Sequence, residues 1–244
     1  MALFDVVAPL FDWVDGLAAL GLPSWMRLTL WGALAAIASM LSYRWLSPQD
    51  RIRRGKNQLR QAQHRLNSFD GELAGAWPLM REMLGAAFRQ VARVGGPAIV
   101  ASLPLLFLLN WMSTTYGYAF PPEGETLQIR TEPDRFKAQW IAPDRTGSDS
   151  DPHILVSDEQ NRKVIEASMP APVPVIHKKQ WWNVLFGNPV GYLPDNAPVD
   201  RIQARLPRQH HLPFGPNWLR GWEFIFFTSL VLVSVGLKIK LKIA

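Results

Sequence analysis

The most restrictive feature of the sequence is a stretch of 27 residues, Val94 to Phe120, that contains no Asp, Glu, Lys or Arg. A bilayer core about 30 Å thick needs roughly 20 helical residues to cross it. A buried helix of a water-soluble protein is the alternative, but such helices rarely remain free of charge over this length. The stretch therefore predicts a membrane-spanning helix, which we place at residues 94–115.

Two further segments have the composition of spanning helices. Residues 23–46 are uncharged except near their ends, where Arg27 and Arg44 can reach opposite membrane surfaces. Residues 219–244 have an apolar centre that follows Trp222 and precedes a lysine-rich end, as interfacial aromatic and basic residues do. The sequence therefore predicts a membrane α-helical fold with three transmembrane helices.

Charge divides the other segments into two kinds. Residues 44–93 carry ten Lys and Arg against four Asp and Glu, whereas residues 114–219 carry eleven against twelve. Because basic segments stay in the cytoplasm, we expect residues 47–93 and the C-terminal tail there, with the N-terminus and residues 116–218 outside. The chain has no cysteine, which excludes disulfides and Cys-ligated metals. We expect an integral protein of the bacterial inner membrane.

The N-terminal residues 1–22 carry acids and no basic residue. Asp5, Asp12 and Asp15 are spaced so that they share one side of a helix, opposite an apolar side. We expect an interfacial helix on the outer membrane surface, with an unstructured segment as the alternative. A cleaved signal peptide is not expected, because a basic start is missing.

Residues 47–93 are predicted to form a cytoplasmic helical hairpin. Ile52, Leu59 and Leu66 recur every seven residues, as in a coiled-coil seam, and Asp70-Gly71 is a turn signal. Four basic residues lie beside the membrane, where each can add roughly 1 kcal/mol of attraction to anionic lipid. Topology determination alone would also account for them, and ribosome or RNA contact is a further alternative, although we do not expect a nucleic acid partner. These candidate lipid or client contacts are Arg51, Arg53, Arg54 and Lys56.

Residues 116–218 contain six short runs of alternating character, separated by Pro, Gly and Asp. They predict a small extracytoplasmic domain with a β-sandwich-like fold, and the runs are 126–131, 136–142, 154–157, 163–169, 173–177 and 201–206. Residues 180–187 break the alternation, and their aromatic cluster indicates either a short helix that dips into the outer interface or core packing. The candidate partner or interface anchors are Trp181, Trp182, Phe186, Trp218 and Trp222.

Along the chain, a first span is followed by a basic hairpin, a second span and a third span. The residues that show this order best are the junction YRWLSPQDRIR (43–53) and the span GGPAIVASLPLLFLLNWM (95–112). This arrangement resembles the Oxa/YidC insertase superfamily, and most of all its compact three-span branch, which includes archaeal YidC-like proteins and the insertase subunit of the ER membrane complex. The resemblance implies that three helices surround a groove through which polar parts of a client enter the membrane. The intramembrane arginine common in bacterial members has no counterpart here. The polar residues available for such a groove are Ser39, Ser42, Ser102, Asn110, Thr228 and Ser229.

No pattern for catalysis, a metal or a cofactor is found. The adjacent pair His210-His211 is a poor chelate, because neighbours in an extended chain point to opposite faces. No phosphate loop, nucleophile elbow or dinucleotide motif occurs. We therefore predict a non-enzymatic, insertase-like membrane-protein insertion or assembly factor, with a structural accessory subunit of a larger membrane complex as the alternative. Its expected partners are membrane lipid and other integral membrane proteins, as clients or complex subunits.

Overall fold

The computed structural model describes residues 2–47, 49–71, 73–122, 124–142 and 151–241, so the last three residues of the basic tail lie outside the described residues. The chain divides into two compact units. The first unit combines Met1–Leu28 with Phe107–Ile225, and the second combines Thr29–Leu106 with Phe226–Ala244.

Six α-helices occur in the described ranges: α1 Ala8–Ala19, α2 Ser24–Leu46, α3 Gln49–Asn67, α4 Leu73–Thr115, α5 Asn217–Arg220 and α6 Trp222–Leu241. Among the described residues, α2, α4 and α6 are long and apolar enough to cross a membrane, as the sequence predicts. Short 3-10 helices cover Leu3–Asp5 and Trp181–Val184.

Helix α4 is longer than the predicted span. The second half of the hairpin and the second span form one continuous helix of 43 residues, which at 1.5 Å per residue is about 65 Å long. Because the bilayer core is only about 30 Å thick, roughly half of α4 would extend beyond the hydrocarbon of a bilayer that it crosses.

Helices α3 and α4 contact each other at two levels. The side-chain amide of Gln90 donates to the backbone oxygen of Ile52 at 3.3 Å, and Arg65 pairs with Glu82 at 2.7 Å. Ile52, from the predicted heptad seam, and Ala62 are buried. Because the later α3 residue contacts the earlier α4 residue, the two helices run antiparallel as a hairpin, and its side of the membrane stays a prediction.

Helices α2 and α6 approach closely at Gly32. A Cβ added at Gly32 would lie 2.6 Å from the backbone oxygen of Phe226 and 2.8 Å from the Cβ of Ser229. The Ser229 hydroxyl donates to the backbone oxygen of Thr29 at 2.7 Å, and Ala36, one turn further, is fully buried. Small residues allow two membrane helices to approach at backbone distance, and this contact therefore depends on Gly32.

In the described part of the chain, six short strands form a β domain of two antiparallel sheets, with strand orders β1-β6-β5 and β2-β3-β4. The strands are β1 Ile129–Glu132, β2 Lys137–Ile141, β3 His153–Ser157, β4 Lys163–Ser168, β5 Val175–His177 and β6 Arg201–Ala204. Each overlaps one of the six predicted runs. Buried residues of both sheets, including Ile154, Val156, Ile176 and Ile202, share one core, as in a small sandwich.

Replacing Gly32 by Ala should lower the thermal stability of the purified protein, because the new methyl group meets backbone that cannot rotate away. Overpacking of this kind typically costs about 1–3 kcal/mol. Gly236→Ala in α6 is the matched control, since nothing lies within 4 Å of its added Cβ. The unfolding midpoint in detergent measures both variants, and a Gly32→Ala midpoint equal to that of the parent protein would contradict the close α2–α6 contact.

Candidate functional site

The N-terminal segment turns its acidic side toward protein within the first unit. The Asp12 carboxylate accepts a hydrogen bond from the indole nitrogen of Trp111 at 2.6 Å, and Asp5 accepts one from the amide of Asn110 at 3.2 Å. Both donors lie in the last two turns of α4. The acids that the sequence places on one side of a helix therefore hold this segment against the end of α4.

The third acid, Asp15, is the centre of a buried cluster. Its carboxylate pairs with the Arg27 guanidinium and accepts the hydrogen bond of the Tyr116 hydroxyl. The guanidinium also lies 5.4 Å from the centre of the Tyr116 ring, and His211 Nε2 lies 3.0 Å from the Tyr116 backbone oxygen. A buried charge is stable only where it is paired and hydrogen-bonded. The Asp15 carboxylate meets that requirement, whereas the Nε of Arg27 is buried with no hydrogen-bond partner in the described part of the chain.

The structure gives Arg27 a protein partner that the sequence did not indicate. Its side chain is only 18% exposed and lies against Asp15. The cause is the preceding helix α1, which brings a carboxylate to the start of α2. That the side chain reaches the membrane surface stays a prediction.

Burial favours the neutral forms of the two titratable rings in this cluster. Burial raises the pKa of the Tyr116 hydroxyl, and the hydrogen bond to Asp15 raises it further. Burial lowers the pKa of the His211 imidazole below its usual 6.5, opposed in part by the bond to the Tyr116 backbone. Neutral His211 donates Nε2–H to that oxygen, provided that it adopts the tautomer with hydrogen on Nε2.

The other side of the N-terminal segment is an exposed apolar face. Its side chains follow one another at intervals of three and four residues, so they share one side of the helix. They are between 52% and 86% exposed: Val6, Leu10, Trp13, Leu17 and Leu20. An exposed apolar face with inward-turned acids is the pattern of an interfacial helix.

Residues 180–187, the Trp181 loop, also expose apolar side chains. Trp181 is 84% exposed and Val184 is exposed as well, whereas Asn183 is buried. The Asn183 amide donates to the backbone oxygen of Phe186 at 3.0 Å. Because the polar residue holds the turn while the apolar residues face outward, this geometry favours the interface alternative over core packing.

Aromatic rings join the Trp181 loop to the N-terminal segment and to α4. The Phe4 ring lies 4.7 Å from that of Phe186 and 4.6 Å from that of Phe107. The Phe4 backbone nitrogen also donates to the Leu185 backbone oxygen at 3.0 Å. The loop, the segment and this part of α4 therefore form one packed layer within the first unit.

The remaining predicted anchors differ in exposure. Trp182 and Phe186 are partly exposed, and Trp218 is largely exposed. Trp222 is buried within the chain and is therefore a poor anchor for another molecule.

The predicted groove residues have separate hydrogen-bonding roles. Among the described residues, the hydroxyl of Ser229 bonds to α2, that of Ser102 donates to the Ile99 backbone in its own helix at 2.7 Å, and Asn110 bonds to Asp5. In the described part of the chain, these three side chains therefore bond to backbone oxygens or to Asp5 rather than to one another. Thr228 is exposed, Ser42 is half-buried, and Ser39 is half-buried with a hydroxyl oxygen that has no hydrogen-bond partner in the described part of the chain.

The four basic residues predicted as lipid or client contacts are all exposed on α3: Arg51, Arg53, Arg54 and Lys56. Helix α4 adds an exposed apolar strip, which the sequence did not identify as a surface. The strip side chains are between 39% and 73% exposed: Trp77, Leu84, Phe88, Val91, Ile99 and Leu106.

Successive residues of the apolar strip are seven, four, three, eight and seven positions apart. Each of these distances is close to one or two turns of an α-helix, which has 3.6 residues per turn. The six side chains therefore lie along one side of α4. The sequence already placed apolar residues at helical spacing in the second hairpin helix, which runs into the second span. Which of them are exposed along one side of α4 is decided by packing, so the strip is recognisable only in the structure.

Comparison of the chain with protein-family models, with curated proteins and with solved structures found no match.

The variant Asp15→Asn should destabilise the protein by about 3–5 kcal/mol, because it leaves a buried guanidinium without its counter-charge. Glu166→Gln is the control, since it breaks the exposed pair with Lys163 and should leave the unfolding midpoint nearly unchanged, because water screens exposed ion pairs. Unfolding in detergent measures both. Equal losses would show that the Asp15 pair is not buried as described.

Acid should destabilise the protein through His211. Its folded-state pKa lies below 6.5, so as the pH falls through that region the unfolded chain binds the proton first and stability is lost. His211→Gln keeps an amide donor but cannot titrate, and it should reduce the fall of the unfolding midpoint between about pH 7.5 and about pH 5.5. The exposed His64→Gln should leave that fall unchanged, and an unaltered fall in His211→Gln would refute the assignment.

Proposed function

We propose that this chain is a non-enzymatic membrane protein that assists the insertion or assembly of other integral membrane proteins. The observation that carries the proposal is the apolar strip. It begins in the hairpin half of α4 and continues along the same helix into the charge-free stretch, over about 44 Å from Trp77 to Leu106. An apolar client segment can bind along this side of α4 and remain in contact with it while passing from water into lipid.

The strip suits a transient complex. Full burial of a large apolar side chain contributes about 1.5–3 kcal/mol, so contact with three or four strip residues gives several kcal/mol. Association itself costs roughly 4–15 kcal/mol, because the two molecules lose translational and rotational freedom. The balance favours short-lived binding of many clients over tight binding of one.

The basic side chains support the same role. Arg51, Arg53, Arg54 and Lys56 are exposed on the other hairpin helix, and Arg81 is exposed beside the strip. Positive charge near a cytoplasmic membrane surface attracts anionic lipid and increases the encounter rate with acidic clients. The proposal therefore includes the inner-membrane location, with the hairpin and C-terminus cytoplasmic and the N-terminus and β domain outside.

The resemblance to the Oxa/YidC superfamily supports the proposal from the side of the sequence. The proposal differs from the family pattern in one respect, since client contact is assigned to an exposed apolar strip and not to a shared polar groove. The hydrogen bonds of Ser229 and Ser102 to backbone favour that assignment.

Site-specific photocrosslinking during synthesis of membrane proteins tests the proposal. A photoreactive residue at Phe88 should crosslink to many nascent membrane proteins. The same residue at Arg89, exposed on another side of α4, is the matched control. The double variant Leu84→Ser, Phe88→Ser should reduce client insertion several-fold, with orientation confirmed by labelling single cysteines at Gln63 and Asn161. Equal crosslinking at both positions, or unchanged insertion, would reject the proposal.

A second candidate is a structural accessory subunit of a larger membrane complex. It is favoured by Trp218 and Phe214, which are large and exposed in the first unit. Aromatic residues often dominate interface energetics, and truncation of a true hot spot costs about 2 kcal/mol or more. The variants Trp218→Ala and Phe214→Ala test this candidate by co-purification. If they lose one stoichiometric partner while the insertion of other proteins is unchanged, the accessory-subunit function replaces the insertion function.

A further inference from the structure

The depth of the Trp181 loop follows from its contact with α4. Phe107 lies eight residues before the end of α4, which is about 12 Å along the helix axis, and it belongs to the charge-free stretch. Phe4 contacts Phe107, and Phe186 contacts Phe4. The loop therefore reaches past the end of α4, to the level of residues that must lie in lipid if α4 spans the membrane.

The chemistry of the loop fits that level. Residues 180–187 contain no charged side chain, and Trp181 and Val184 are exposed. Trp is enriched at membrane–water interfaces, where its ring is at the headgroup level. Lys179, exposed just before the loop, can extend its amine to a headgroup phosphate while its alkyl chain remains in the apolar layer.

Helix α1 supplies an adjacent surface of the same character. Four residues, 20–23, join it to the spanning helix α2, so α1 cannot be far from the bilayer. Asp12 and Asp15 bond to protein on the inner side, and the exposed face from Val6 to Leu20 consists of large apolar residues. In water this face would be costly, whereas lipid is the solvent that it matches.

From this geometry we infer that the Trp181 loop and the apolar face of α1 form one lipid-inserted surface, which seats the β domain on the adjacent leaflet. The occupant is lipid rather than a partner protein, because the surface is continuous with spanning helices through α2 and through Phe107. This inference is independent of the proposed function, which concerns the strip on α4.

Fluorescence quenching in vesicles tests the inference, since the chain has no cysteine of its own. Single cysteines at Trp181 and Leu10 are labelled with an environment-sensitive dye. The protein alone is reconstituted in vesicles of phosphatidylcholine and phosphatidylglycerol that contain lipid with a shallow spin label. Asn161→Cys, at the exposed turn between β3 and β4, is the aqueous control. Quenching at positions 181 and 10 should exceed that at 161 several-fold.

Quenching at position 181 no greater than at 161 would overturn the inference, whether the loop is in water or covered by a second copy of the chain. Val184→Cys provides a second loop position in case loss of Trp181 disturbs the fold, and a monodisperse elution profile is required of every variant. Because no client is present, the result does not depend on whether the strip binds clients.

Discussion

The first unit depends on the buried contact between Asp15 and Arg27. Removing a carboxylate and a guanidinium from water costs several kcal/mol per ion, and only a well-formed, hydrogen-bonded pair offsets this cost. Tyr116 supplies the additional hydrogen bond. Since the three residues come from α1, from α2 and from just after α4, the pair fixes the rotation of α1 and determines which of its sides faces outward.

The consequence of that rotation is an inverted amphipathic helix. In a water-soluble protein the charged side of a surface helix faces solvent, but here Asp12 and Asp15 contact protein while Leu10 and Leu17 are exposed. Exposing large apolar side chains to water is costly, which is the basis for the lipid contact proposed above. The Trp181 loop follows the same rule, because its buried residue is Asn183 and its exposed residues are apolar.

The two exposed apolar surfaces differ in what they can bind. The face of α1 is short, belongs to a segment fixed by three acidic contacts, and matches a static lipid layer. The strip on α4 is about 44 Å long and has exposed arginine and lysine on the hairpin, which suits the moving client proposed above. The proposed membrane seating and the proposed client contact thus involve different helices, α1 and α4.

Length and alternation are local properties, and the sequence by itself therefore determined the three spans and the six strands. Residues 23–46 were predicted and α2 covers Ser24–Leu46, because hydrophobic length alone decides whether a helix can cross a bilayer. The candidate surfaces were only partly predictable. Spacing placed Asp5, Asp12 and Asp15 on one side of a helix, but only the tertiary structure decided that this side faces protein, with Tyr116 as a partner 101 residues away. Spacing determines which side of its own helix a residue occupies, whereas packing of distant segments decides what covers that side. For the same reason the sequence could not separate exposed Trp181 from buried Trp222, since both are aromatic residues beside apolar segments and differ only in their neighbours.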